Sequence, residues 1–188
     1  MCSMPDGVLR SNVDAFPSVS PHPWRRPART WVLFGLVGLT FGLYAFVWIF
    51  VSWRQIKQEE GDDTKHPFWH TLAMLVPIYG LFRFYAHMRA IRQLARQAGA
   101  RTNLLPAAAL LLWIVFNVLA RLGGRGTVGN WLIVAAAFGE GVLFAWAQTA
   151  LNRTWLALPG GALPVRTPPL DWLLLGLGGL LSLGALLR

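Results

Sequence analysis

Long apolar stretches separated by short polar segments constrain this sequence more than any other feature. They cover residues 31–53, 68–88, 104–119, 131–155 and 170–187. A helix needs roughly 20 residues to cross the hydrocarbon core of a bilayer, with about 17 as the lower limit. The chain has 188 residues, of which 55% are hydrophobic and 13% charged, which is more apolar surface than a soluble domain of this size could bury. The sequence therefore predicts an all-α, polytopic membrane helical bundle with about five transmembrane segments.

Composition divides the chain into three parts. Residues 1–29 are rich in Pro, Ser and Asp and contain no apolar core, so they are predicted to form a disordered basic tail rather than a signal peptide. Residues 30–101 are predicted to hold two aromatic membrane segments and an amphipathic extension. Residues 102–188 are predicted to form three further membrane helices. Cys2 is the sole cysteine, so no disulfide can form within the chain.

The first half contains a weak internal repeat with an offset of 35 residues. Its matching positions are Tyr44, Arg54, Ile56, Lys57 and Gln58 in the first unit and Tyr79, Arg89, Ile91, Arg92 and Gln93 in the second. Each unit also has a helix-breaking residue in its apolar segment, Gly42 in one and Pro77 in the other. An aromatic belt followed by basic residues is typical of any helix that leaves a membrane, so the repeat has that simpler interpretation as well.

The repeat leaves two topologies open. With five spans and a cytoplasmic N-terminus, ten basic residues lie inside and six outside. If the first two segments are re-entrant hairpins that fold back at Gly42 and Pro77, then Arg54, Lys57 and Lys65 return to the cytoplasm and the split becomes thirteen against three. The hairpins fit the positive-inside rule better, whereas continuous spans satisfy the backbone more simply. Five spans is the first interpretation and re-entrant hairpins are the alternative.

Basic residues dominate the charge of the chain. The net charge is +9, and the arginines stand mostly at the ends of apolar stretches. This placement indicates anchoring to anionic headgroups at the cytoplasmic surface and not nucleic-acid binding. The expected location is the bacterial inner membrane, with the N-terminus in the cytoplasm. The expected partner is the lipid bilayer, and a homo-oligomer or another membrane protein is a candidate partner.

An amphipathic stretch follows the second apolar segment. Within residues 89–98, the apolar positions Ile91 and Leu94 fall on one helical face. Arg89, Arg92 and Arg96 fall on the other face, and we expect them to contact anionic lipid at the cytoplasmic surface.

A family resemblance covers about a third of the chain. The TFGLYAFVW and KHPFWHTLAMLVPIYGLFRFYAHMRAI stretches, within residues 29–93, resemble the bacterial multi-pass membrane proteins gathered as domain-of-unknown-function family 4234. The resemblance implies a bacterial inner-membrane protein with no established activity. It implies no catalytic residues, and the three apolar segments after residue 101 lie outside it.

Polar side chains inside the apolar stretches are candidates for a site, because ionisable and polar groups at membrane depth are costly. Glu140 is the only carboxylate between Asp63 and Asp171, and its neighbours Gly139 and Gly141 would let another helix approach, so we expect it to face the protein interior. The other intramembrane candidates are Arg83, His87, Tyr79, Asn117, Gln148 and Asn152. Such groups could form a proton or ion relay or a polar pocket, or they could simply hold helices together by hydrogen bonds.

Signals for metal or cofactor chemistry are weak. His66 and His70 have a four-residue spacing, but Pro67 lies between them and no carboxylate joins them at ligand spacing, so no metal site is expected. Ser52 has no histidine and acid nearby in the sequence, although a triad is defined in space. No catalytic residues and no cofactor are assigned.

The sequence favours a non-enzymatic binding or assembly component of the inner membrane. One alternative is a small transporter or a protein that conducts ions or protons through Glu140 and Arg83. The other alternative is a membrane enzyme that modifies a lipid, which would need a water-accessible cavity with converging polar groups.

Overall fold

The computed structural model describes residues 22–61, 66–123, 126–165 and 167–186. Within these residues the chain is all-helical, which confirms the predicted secondary-structure class. The helices are α1 (Thr30–Leu39), α2 (Leu43–Glu60), α3 (Pro67–Leu72), α4 (Pro77–Gln97), α5 (Pro106–Leu122), α6 (Gly126–Ala157) and α7 (Pro169–Leu186), with a short 3-10 turn at Ala73–Leu75. Residues 1–21 of the predicted tail, including Cys2, lie outside the described residues, and residues 22–29 of it are described.

The first apolar segment is a helical hairpin. Helix α1 ends at Leu39, and the chain turns through Phe41 and Gly42, whose φ angles of 50° and 84° are both left-handed. Just before α1, the Arg25 side chain forms an ion pair with Glu59 near the end of α2, so α1 and α2 run antiparallel. The apolar stretch 31–53 is therefore divided between α1 and α2, which fold back at Gly42, and is not one continuous helix.

The second apolar segment folds back in the same way. The backbone of Val76 is extended, and α4 begins at Pro77, where a missing amide proton costs nothing. Trp53 of α2 lies against both arms of this hairpin, with ring centroids 5.0 Å from His70 in α3 and 4.8 Å from His87 in α4. Helices α3 and α4, on the two sides of the turn at Val76, thus both lie against α2.

Of the remaining helices, α5 packs on α6 and α7 packs on α1. Helix α6 runs antiparallel to α5, since Asn117 meets Glu140 and Asn103 meets Trp146. Helix α7 lies beside α1, where Trp172 and Trp31 have ring centroids 5.6 Å apart. The buried core between α2, α4 and α6 includes the fully buried aromatic side chains of Phe84, Phe144 and Trp155.

Length and apolar composition distinguish α6 from the other described helices. Its residues Val128–Ala157 have a mean hydropathy of 1.6 and are the only stretch, among the described residues, long and apolar enough to cross a membrane. Shorter apolar helices lie at Thr30–Leu39, Pro106–Leu122 and Pro169–Leu180. The structure thus contains one candidate membrane-spanning helix in an all-helical fold.

The amphipathic stretch after the second segment is the C-terminal part of α4. Ile91 and Leu94 are buried, whereas Arg89 and Arg96 are exposed. Helix α4 ends at Gln97, and the chain leaves it through the left-handed glycine at position 99. One face of this stretch therefore packs on the protein and the other is free for contacts outside it.

Candidate functional site

A chain of hydrogen bonds links α2, α6 and the segment that precedes α1. The Trp48 indole N–H of α2 donates to Gln148 Oε1 of α6 at 2.5 Å, and Gln148 Nε2 donates to Asn152 Oδ1 at 2.6 Å. Asn152 in turn pairs with the backbone of Ala28, which accepts from Nδ2 at 2.8 Å and donates to Oδ1 at 3.2 Å. Gln148 is buried, so its hydrogen bonds are needed to offset the cost of its desolvation. These contacts hold the segment just before α1 against α6.

Ser52 and His87 form a second buried contact, between α2 and α4. Their Oγ and Nε2 atoms lie 3.0 Å apart, and both residues are fully buried. Ser52 Oγ also lies 2.7 Å from the Trp48 carbonyl oxygen, which can only accept a hydrogen bond. With the single hydroxyl proton donated there, His87 Nε2–H donates to Ser52, and this assigns the histidine tautomer. A nucleophilic serine would have to donate to its base, whereas in this arrangement the serine proton is directed to a backbone carbonyl.

Glu140 faces the interior, as its flanking glycines indicated. Its Oε1 accepts a hydrogen bond from Asn117 Nδ2 of α5 at 2.9 Å. Its Oε2 lies against the turn between α1 and α2, where a Cβ built on Gly42 would come within 2.7 Å of it. Glu140 thus joins α5 and α6 to the first hairpin at the point where the hairpin turns.

Arg83 and Tyr79 form a separate pair on α4. Arg83 Nη2 donates to the Tyr79 hydroxyl, and the guanidinium carbon lies 4.8 Å from the Tyr79 ring centroid. Glu140 and Arg83 therefore have different partners, so the structure does not bring together the two residues on which the transport alternative depends.

The three arginines predicted to contact lipid line a groove between α4 and α5. Arg89, Arg92 and Arg96 form one wall with Tyr85 and Gln93, and residues 105–108 at the start of α5 form the other. The groove has a volume of about 610 Å³. In the part of the chain that the structure describes, none of these guanidinium groups forms an ion pair with a carboxylate. This basic groove is positively charged and open to an anion from outside the chain.

An ion pair joins the two ends of the first hairpin. Arg25 Nη2 and Nε donate to the two carboxylate oxygens of Glu59 at 2.7 and 2.8 Å, and Trp24 Nε1 adds a third hydrogen bond at 3.0 Å. Arg25 Nη1 also donates to the carbonyl of Pro159, just after α6. The hydrogen bond from Arg25 holds the pKa of the Glu59 carboxyl below its usual range.

Sequence reasoning did not anticipate the Ser52–His87 contact or the Arg25–Glu59 pair. A signal for the first was present, since Ser52 and His87 are separated by the same 35 residues as the internal repeat. Equivalent positions of the two hairpins thus meet each other. The Arg25–Glu59 pair had no such signal, because Arg25 lies in the predicted tail and Glu59 is 34 residues away in the sequence.

Comparison with known proteins adds no relative. No family model, no curated protein and no solved structure matches the chain. The resemblance to domain-of-unknown-function family 4234 therefore stays a prediction.

Proposed function

We propose that the protein is a non-enzymatic binding component of the bacterial inner membrane that holds anionic lipid headgroups at the cytoplasmic surface. The observation that carries this proposal is the basic groove, in which Arg89, Arg92 and Arg96 have no carboxylate partner among the described residues. An arginine fork matches a phosphate in a bidentate manner, and basic groups near the surface attract anionic lipids.

The proposed membrane arrangement has α5, α6 and α7 crossing the bilayer and both hairpins entering from the cytoplasm and returning to it. Large apolar side chains exposed on these three helices support contact with lipid; they include Leu111, Val115, Val142, Leu173 and Leu177. The fold-back of both hairpins supports a common cytoplasmic end, which holds Arg25, Arg26, Arg29, Arg54, Lys57, Arg89, Arg92, Arg96, Arg101 and Arg153. Arg121 lies in the last turn of α5, at the opposite side, so the positive-inside rule assigns the Arg-rich end to the cytoplasm.

Thiol labelling tests this topology. With Cys2 replaced by Ser, single cysteines at the exposed positions Gln58 and Gln97 are expected to be protected from an impermeant reagent in spheroplasts. A cysteine at the exposed position Val128, at the start of α6, is expected to react. Labelling of Gln58→Cys from outside, with Gln97→Cys protected, would instead indicate that the first segment spans the bilayer.

Lipid retention tests the binding function itself. The triple variant Arg89→Gln, Arg92→Gln and Arg96→Gln is expected to co-purify with markedly less phosphatidylglycerol and cardiolipin, because each arginine contributes on the order of 1 kcal/mol near an anionic surface. Substitution of Arg54, Arg101 and Arg153 by Gln removes the same charge from the same end of the protein and serves as the control. Equal lipid loss in both variants would mean that net charge, and not the groove, retains the lipid.

The two alternative functions, transport and lipid modification, both have less support. Transport through Glu140 and Arg83 loses support because the two residues have separate partners. Lipid modification loses support at Ser52 and His87 because the serine proton is directed to a backbone carbonyl. Association with a second copy of the chain or with another membrane protein stays part of the proposal.

A further inference from the structure

A large cavity lies between the first hairpin and the segment that leads into α7. Its volume is about 690 Å³, within the range of roughly 300 to 1,000 Å³ typical of small-molecule sites. The residues that line it come from α1, α2, α6, the chain just before α1 and the chain on either side of the start of α7. It is therefore a different site from the basic groove between α4 and α5.

The walls of this cavity are apolar along their length. Val32, Leu33 and Leu36 of α1 form one side, and Val47 and Val51 of α2 form the other. The three α1 residues are buried, whereas Val47 and Val51 are 50% and 44% exposed. The two valines thus present free apolar surface to the cavity, which an alkyl chain would cover favourably.

Polar groups stand at the margin of the cavity. Arg26 and Arg29, just before α1, are exposed and form no ion pair with any carboxylate that the structure describes. On another side, the Tyr44 hydroxyl donates to Asp171 Oδ1 at 2.9 Å. Thr167 Oγ1 is enclosed and has no hydrogen-bond partner in the described part of the chain. A buried hydroxyl without a partner is uncommon and indicates a missing polar contact.

We propose that this cavity binds one anionic amphiphile with a single alkyl chain, either a free fatty acid or a lysophospholipid. The alkyl chain lies between the leucine and valine walls of α1 and α2. The carboxylate or phosphate head accepts hydrogen bonds from Arg26 and Arg29, whose guanidinium forks match either group. The apolar walls of the cavity match an alkyl chain, and the two arginines at its margin match an anionic head group, so the site favours a ligand that has both.

Equilibrium binding of radiolabelled palmitate to the full chain in a non-ionic detergent tests the site. Saturable binding with one palmitate per chain is expected. Val47→Trp is expected to weaken palmitate binding at least tenfold, because the indole occupies the space that the alkyl chain of palmitate needs. Val115→Trp on α5 is the matched control, since Val115 is 49% exposed and does not line the cavity. Absence of saturable binding, or equal affinity in Val47→Trp and Val115→Trp, would overturn the proposal.

A second variant tests the binding of the anionic head group separately from that of the alkyl chain. It lies at the surface, so its effect does not depend on core packing. Arg29→Gln, at an exposed position, is expected to weaken palmitate binding about tenfold and to leave hexadecanol binding unchanged. Equal loss for both ligands, or no loss for palmitate, would contradict the assigned head position. Tighter binding of lysophosphatidate than of palmitate would identify a lysophospholipid as the source of the ligand, and the reverse order a fatty acid. The triple variant of the basic groove should bind palmitate as the wild type does, which distinguishes failure here from failure of the proposed function.

Discussion

Glu59→Gln is expected to lower the free energy of unfolding by about 3 kcal/mol. Breaking a buried ion pair by removing one charge costs roughly 3 to 5 kcal/mol, since the other charge is left without a partner. The side chains of Arg25 and Glu59 are only 6% and 12% exposed, and the slight access of water to Glu59 sets the expected value at the lower end. Unfolding of the purified protein by sodium dodecyl sulfate, followed by circular dichroism, measures the change.

Two further variants attribute the loss to the pair. Arg54→Gln removes an exposed cation from the same helix as Glu59 and is expected to change stability by less than about 0.5 kcal/mol. Adding Arg25→Gln to Glu59→Gln is expected to cost less than the sum of the two single changes, because residues in contact are coupled. Strict additivity would mean that Arg25 and Glu59 stabilise the hairpin independently of each other.

The same pair predicts the response to acid. The pKa of Glu59 is lower in the folded protein than in the unfolded chain, so its contribution is complete well above the unfolded value of about 4.3. The contribution is lost as the pH falls below that value and through the folded pKa. Wild-type stability should therefore decline in acid more steeply than that of Glu59→Gln.

The fold was predictable where it depends on periodicity and helix breakers. The length of the apolar stretches predicted helices in all five, and Gly42 marked the first turn, because a residue without a Cβ takes a left-handed conformation without strain. Local sequence did not decide between a continuous helix and a fold-back. The contact of Arg25 with Glu59, 34 residues apart, decides it, and single-sequence periodicity carries no information on such a pair.

The candidate site was predictable as a set of polar residues but not as a set of pairs. Gln148 and Asn152 lie four residues apart on α6 and are bonded to each other, as helical spacing allows. The partner of Glu140 was not predictable, because Asn117 lies on another helix and a polar residue on any neighbouring helix could have met Glu140. Asn117 is the partner because of the direction and rotation of α5 relative to α6, and only the packing of the helices sets these.

Gly141→Ala is expected to destabilise the protein by about 1 to 3 kcal/mol, the typical cost of overpacking a well-filled interior. Helix α1 approaches α6 so closely at this point that a Cβ on Gly141 would lie 2.7 Å from the backbone carbonyl oxygen of Phe34. That oxygen belongs to a helix and cannot move without displacing α1, so the clash has no inexpensive relief. Gly176→Ala on α7 is the matched control, because a Cβ there meets no atom within 4 Å.

The two substitutions are expected to have opposite signs. In a helix interior, alanine is favoured over glycine by roughly 0.5 to 1 kcal/mol, since it loses less backbone entropy on folding. Gly176→Ala should show that gain, and Gly141→Ala should reverse it, in the same detergent titration used for Glu59→Gln. A gain in stability in both variants would mean that α1 does not contact α6 closely at Gly141. In that case the position of the first hairpin against Glu140 would have to be revised, because the same close contact brings Gly42 against the Glu140 carboxylate.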